Sequence, residues 1–168
     1  GGHKYSTKTD LNSKFDYPGG GSAILIGSES SMELGGTVNM YGGTISGNTV
    51  TALSQYGGKR ERAGAVCVKD GGNFNMYGGA IRGNSARMLG GALYLFGGNS
   101  GTYQANAKLY GGIITDNYGL DTVYNYSNES GWDSVGAFAT DNVMNGSSII
   151  SIAGNPFISG NYGYSCTI

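Results

Sequence analysis

The sequence predicts an all-β chain wound as a parallel β-helix, a solenoid of about four coils with three short strands each. Two repeated signatures and one alignment of residue types predict it. The first signature is Asn39-Met40-Tyr41-Gly42-Gly43-Thr44-Ile45-Ser46-Gly47-Asn48. It returns as Asn75-Met76-Tyr77-Gly78-Gly79-Ala80-Ile81-Arg82-Gly83-Asn84 and as Lys108-Leu109-Tyr110-Gly111-Gly112-Ile113-Ile114-Thr115-Asp116-Asn117. A degenerate fourth copy, Ser151 to Asn161, carries one extra residue. The tyrosines are spaced by 36 residues (41 to 77) and 33 residues (77 to 110), a period that belongs to stacked repeat architectures. The second signature precedes each of these phrases: Ser22-Ala23-Ile24-Leu25-Ile26, Gly64-Ala65-Val66-Cys67-Val68, Gly91-Ala92-Leu93-Tyr94-Leu95 and Gly136-Ala137-Phe138-Ala139-Thr140.

The first strand of each unit is the Gly-Ala run. Strands alternate faces with period two, which sets Ile24/Ile26, Val66/Val68, Leu93/Leu95 and Phe138 on one side. The second strand ends at Met40, Met76, Leu109 or Ile152. It sets Val38/Met40, Phe74/Met76, Ala107/Leu109 and Ile150/Ile152 on the same side. The neighbouring columns vary freely: Leu25, Cys67, Tyr94 and Ala139 in the first strand, and Asn39, Asn75, Lys108 and Ser151 in the second. An always-apolar column beside an unconstrained one predicts a buried face beside a solvent face. The third strand is centred on Ile45, Ile81, Ile114 or Ile158. One coil cannot bury its own interior, so the coils must stack. The pairs Gly42-Gly43, Gly78-Gly79 and Gly111-Gly112 fall where the chain bends between strands, and positive φ is cheap there only for glycine. The column Asn48, Asn84, Asn117, Asn161 closes each third strand and is read as a structural hydrogen-bonded ladder rather than as simple turn preference. The column Tyr41, Tyr77, Tyr110 is read first as a stacked structural ladder, and as an aromatic strip if it points outward.

These motifs resemble the right-handed β-helical repeats of bacterial surface proteins. Gly90-Gly91-Ala92-Leu93 looks like the Gly-Gly-Ala-Ile motif of chlamydial polymorphic outer membrane proteins. The Ile-x-x-Asn ends, such as Ile81-Arg82-Gly83-Asn84, look like their Phe-x-x-Asn motif. The phrase Tyr-Gly-Gly-Thr-Ile-Ser-Gly-Asn is still more similar to adhesin-like proteins of Gram-positive gut bacteria. The resemblance covers about residues 20–162 and implies a right-handed parallel β-helix. It also implies a secreted or cell-surface location and a role in adhesion or carbohydrate contact.

Composition bounds the alternatives. Glycine supplies 33 of 168 residues, but there are only 2 prolines and no Gly-X-Y triplet, so the chain is not collagen-like. Hydrophobic residues make 39% and charged ones 12%, unlike a disordered chain. A net charge of −1 gives no electrostatic case for nucleic acid or an anionic membrane. No apolar run is long enough to span a bilayer. The sequence shows no signal peptide and does not begin with Met, so it is expected to be a processed product or an excised domain. Cys67 and Cys166 make either one bond or two thiols.

The organisation expected is an N-terminal cap or tail over 1–20, the β-helix over 21–162 and a short end over 163–168. Residues 163–168 are too short to cap the open strand edges, so that end is expected to continue or to meet another domain or chain. The insertions 49–63, 85–90 and 118–135 leave from one corner, after the Asn column, and 97–106 leaves from another. Residues 59–62, Lys-Arg-Glu-Arg, form a charged tip. Residues 118–135 hold Tyr118, Tyr124, Tyr126 and the single tryptophan, Trp132, with Asp121, Glu129 and Asp133. Aromatic planes beside carboxylates suit sugar rings and protein surfaces, so these seven are the candidate ligand-binding residues. The alternative is that the aromatics fold back to cover the coil stack.

Catalytic residues are expected to be absent. The sole histidine is His3, outside the coils, so no Ser-His or Cys-His pair forms within them. Asp70, Asp116 and Asp141 occupy different corners, so no column supplies the two facing acids of a glycosidase. Asp121, Glu129 and Asp133 offer calcium oxygen ligands without EF-hand spacing, so no cofactor is expected. The leading expectation is a non-catalytic extracellular surface module, adhesin-like, that contacts host glycan or protein through its coil-interrupting loops. A carbohydrate-binding domain for polysaccharide capture is the alternative, and a polysaccharide lyase- or hydrolase-like enzyme comes last.

Overall fold

The computed structural model describes residues 23–27, 35–50, 63–69, 71–86, 90–96, 104–119, 132–134, 138–141 and 148–163. These residues form a parallel β-helix of four coils. The first coil holds β1 (Ile24–Ile26), β2 (Thr37–Met40), β3 (Thr44–Ser46) and β4 (Thr49–Val50). The second holds β5 (Val66–Val68), β6 (Asn73–Met76), β7 (Ala80–Arg82) and β8 (Ser85–Ala86). The third holds β9 (Leu93–Phe96), β10 (Ala105–Leu109), β11 (Ile113–Thr115) and β12 (Tyr118–Gly119). A separate strand, β13 (Trp132–Ser134), precedes the fourth coil, which holds β14 (Phe138–Asp141), β15 (Ser148–Ile152), β16 (Phe157–Ser159) and β17 (Tyr162–Gly163).

Each coil contributes one strand to each of four sheets, and sequence equivalence becomes spatial register. The first sheet runs β1-β5-β9-β14-β13, the second β2-β6-β10-β15, the third β3-β7-β11-β16 and the fourth β4-β8-β12-β17. Every coil-to-coil pair is parallel. Val38 faces Phe74, Phe74 faces Ala107 and Ala107 faces Ile150, while Ile45, Ile81, Ile114 and Ile158 form one column. The fourth sheet goes beyond the three strands per unit read from the sequence. Its strands are two residues long, too short to leave a periodic signal. They extend each coil past its closing Asn, so the segments read as insertions begin two residues later than expected. Likewise β10 starts at Ala105, which takes Ala105 and Asn106 out of the expected 97–106 loop.

The inward columns make one core. Val66, Val68, Phe74, Met76, Ile81, Leu93, Leu95, Leu109 and Ile114 are fully buried. Phe74 lies in register with the small Ala107, so a large ring is stacked beside a small side chain and the interior fills without overpacking. Burial weakens toward both ends. Ile24, Val38 and Ile45 in the first coil, and Phe138, Ile150 and Ile158 in the fourth, are only partly buried.

Two expectations about faces are corrected. Alternation predicts the solvent side of the first sheet for Cys67, Tyr94 and Leu25. Leu25 is 43% exposed, but Cys67 and Tyr94 are completely buried, and the sheet is covered on both faces in its middle coils. Alternation tells which side of a strand a residue takes, not whether something packs on that side. Alternation predicts the buried column for Ile152. It pairs in register with Leu109, yet it is 63% exposed, because no further coil covers it among the described residues.

In the second and third coils the bend after the second strand needs both of its glycines, and in the first it needs Gly43. Gly43, Gly79 and Gly112 have φ of 84°, 89° and 95°, in the left-handed region. Gly78 and Gly111 have no such φ. A side chain there would sit 2.7 and 2.8 Å from the main-chain oxygens of Tyr41 and Tyr77 in the coil below. A second left-handed column precedes the asparagines: Gly47, Gly83, Asp116 and Gly160 have φ of 67°, 61°, 56° and 63°. Asp116 is the one non-glycine residue of that column. The expected cap over 1–20, the charged tip 59–62, and Cys166 lie outside the described residues.

Candidate functional site

Two columns rise through the stack close to each other in sequence, and they face opposite ways. The asparagine column points inward. Asn84 and Asn117 are completely buried and Asn161 is 1% exposed. Each Asn donates from its main-chain N–H and from Nδ2 to the Oδ1 of the next coil's Asn, at 3.1 and 2.9 Å respectively, for all three steps. The Nδ2 groups of Asn84, Asn117 and Asn161 also donate to Ile45, Ile81 and Ile114 carbonyls at 3.0, 3.0 and 2.9 Å. The amides of these residues are committed to the scaffold.

The tyrosine column points outward. Each ring directly follows a strand of the second sheet, and the main chains of Tyr77 and Tyr110 are pinned to the coil below: Tyr77 N–H donates to Met40 C=O and Tyr110 N–H to Met76 C=O, both at 2.8 Å. The rings of Tyr41 and Tyr77 stack with centroids 5.0 Å apart and planes 10° apart. Those of Tyr77 and Tyr110 stack at 4.6 Å and 3°. Tyr41 is 73% exposed, Tyr77 42% and Tyr110 36%. Because the inner faces cover one another, the strip presents a row of ring edges and hydroxyls, plus the outer face of Tyr41. Partial desolvation raises the pKa of Tyr77 above the usual phenol value, and the neighbouring phenols Tyr110 and Tyr41 and a hydrogen bond with Tyr110 raise it further. The Tyr77 phenol therefore holds its proton more tightly than a free phenol does.

Two residues before each tyrosine lies an outward polar side chain: Asn39, Asn75 and Lys108. Asn75 Nδ2 donates to Asn39 Oδ1 at 2.9 Å, which leaves each amide fixed with a free half. Further along the same face, Asn106 Nδ2 donates to Asn73 Oδ1 at 3.4 Å. The face is thus an ordered grid of amides bordered by phenols, repeating once per coil at about 4.8 Å. In the fourth coil Ala153 takes the tyrosine's place, its N–H donating to Leu109 C=O at 2.9 Å, so the strip spans three coils.

The seven predicted loop residues do not come together as one described site. Tyr118 is in β12 of the fourth sheet rather than in a loop. It is 45% exposed and its ring stacks on Tyr162 at 5.2 Å and 27°. The backbone of Trp132 and Asp133 forms β13, antiparallel to β14, with Trp132 opposite Asp141 and Asp133 opposite Thr140. Tyr124, Tyr126, Asp121 and Glu129 lie outside the described residues. The Tyr118–Tyr162 pair was missed by sequence reasoning, although Asn117-Tyr118-Gly119 and Asn161-Tyr162-Gly163 repeat the same three residues. The burial of Lys69, 2% exposed just after β5, left no signal at all. Among the described residues, no group of three or more His, Cys, Asp or Glu is placed to hold a metal ion. Comparison with protein-family models, with curated proteins and with solved structures finds no match.

Proposed function

We propose that this chain is a non-catalytic, adhesin-like module of a bacterial surface, and that its ligand is an extended glycan lying along the tyrosine strip. The observation that carries the reading is the half-exposed stack of Tyr41, Tyr77 and Tyr110 beside the outward Asn39, Asn75 and Lys108. The ring spacing of 4.6–5.0 Å is close to the length of one pyranose ring in an extended β-linked glycan. Each sugar would meet one coil, with its hydroxyls on a phenol and an amide or ammonium, and with the free face of Tyr41 open to stacking at one end. The rings and amides of the strip are already held by stacking and by hydrogen bonds between coils, which limits the ordering entropy lost on binding. The non-catalytic part of the reading is supported by how the repeat residues are employed: the asparagines bond within their ladder and the glycines make the bends.

The test is a glycan array followed by calorimetry on wild type, Tyr41→Ala, Tyr77→Ala and Trp132→Ala. Binding of an extended glycan that weakens about tenfold in each of Tyr41→Ala and Tyr77→Ala, equivalent to about 1.4 kcal/mol, supports the strip. Loss confined to Trp132→Ala moves the site to the 118–135 segment. No glycan bound, with a host protein captured instead through the same tyrosines, replaces the ligand class. Turnover of a bound polysaccharide overturns the non-catalytic reading.

A further inference from the structure

The fourth coil ends unevenly. In the second, third and fourth sheets, β15, β16 and β17 are the last strands among the described residues, and each leaves one edge unpaired there. In the first sheet β13 lies on the outer edge of β14, and it runs antiparallel where every coil-to-coil contact is parallel. Among the described residues, one edge in four is closed.

The open edges carry a directional pattern. The carbonyl of each closing Asn accepts from the next coil: Ser85 N–H donates to Asn48 at 2.8 Å, Tyr118 to Asn84 at 2.7 Å and Tyr162 to Asn117 at 2.9 Å. Each Asn N–H and Nδ2 in turn donates to the next coil's Oδ1. The pattern stops at Asn161, whose N–H and C=O have no following coil among the described residues. It starts at Asn48, whose Oδ1 has no preceding one, beside Thr49 in the donor position. The last coil therefore ends in what the first coil lacks. The apolar columns match too: partly buried Ile150 and Ile158 and exposed Ile152 at one end, partly buried Val38 and Ile45 at the other. The two ends complement each other rather than themselves, which makes the contact heterologous and able to repeat without closing. Unpaired parallel edges invite such pairing unless something blocks them.

We propose that β13 is a stop strand. It occupies the place on β14 that β1 of a second copy would take, and it thereby prevents copies of this chain from stacking head to tail.

Sedimentation velocity across a wide concentration range tests this on wild type, on Asp133→Pro and on the triple variant Trp132→Gly/Asp133→Pro/Ser134→Gly, with circular dichroism to verify retained sheet. Proline removes a ladder donor and breaks the strand. Wild type is expected to remain monomeric, and the β13 variants to form a concentration-dependent series of multiples. Adding Ile152→Lys, in the exposed inward column of the last coil, or Ile45→Lys, in the partly buried inward column of the first, should return either β13 variant to monomer. An equal mixture of these two lysine variants should form a one-to-one dimer, because one keeps its last-coil end and the other its first-coil end. The proposal is overturned if wild type already self-associates, if folded β13 variants stay monomeric, or if their association survives both lysines.

Discussion

The asparagine and tyrosine columns are built by the same repeat, one residue per coil, and they differ in what their polar atoms are left to do. The asparagines are buried with their amides bonded up and down the stack. The tyrosines bond through the main chain and keep their hydroxyls and ring edges in solvent. A repeated residue is thus scaffold or surface according to whether its bonding capacity is used up inside the fold. Motif strength in the sequence does not distinguish the two cases.

The strongest way to break the comparison is Asn117→Ala. It removes the acceptor of the Asn84 N–H and Nδ2, and the donor to the Ile81 and Thr115 carbonyls. With about 1–3 kcal/mol for each buried group left unsatisfied, a loss of about 3–4 kcal/mol is expected in denaturant unfolding. A loss below about 1 kcal/mol would show that the ladder is decoration.

Tyr77→Ala is the matching change in the other column. It removes two ring contacts at a half-exposed position, so a stability loss of about 1 kcal/mol is expected, beside a much larger effect on ligand binding. Alkaline titration sharpens the point. The folded state holds the Tyr77 proton more tightly than the unfolded chain does, so this contribution is intact below pH of about 10 and is lost as pH rises through the folded value. Tyr77→Phe should flatten that decline in a series of unfolding curves, and Tyr110→Phe should reduce it. A pH dependence identical in wild type and Tyr77→Phe would mean the stack does not perturb the phenol.

The smallest effect is expected beside the ladder itself. Asp116 holds φ of 56° in a column otherwise made of glycine. Asp116→Gly should leave the ladder intact and raise stability by about 0.5–1 kcal/mol by relieving the left-handed strain, offset in part by backbone entropy. Destabilisation of that size would show that the Asp116 side chain makes a contribution greater than its strain.

Much of this was legible along the chain because stacking converts a sequence period into spatial register. The constant apolar positions at Ile81 and Ile114, the glycine pairs and the Asn column could all be read from alignment alone. Other features left less trace. A two-residue strand such as Tyr118–Gly119 is too short for alternation to show its face, and its one trace is the Asn-Tyr-Gly shared with Asn161-Tyr162-Gly163. The burial of Cys67 and Tyr94 depends on what covers the first sheet, and the exposure of Ile152 depends on where coils stop. The segment 118–135 reads in sequence as an insertion, because it lies between the Asn column and the next Gly-Ala run. Its last described part instead forms β13, because an open edge on β14 can recruit any nearby extended backbone regardless of its side chains.

By itself, the sequence determined the solenoid, its coil boundaries to within two residues and the apolar, glycine-pair and asparagine columns of the first three sheets, because each depends on local alternation and on turn residues. Only the tertiary structure decided which columns keep solvent and which edges remain open. Those properties belong to neighbouring coils and packed faces, and no single repeat encodes them.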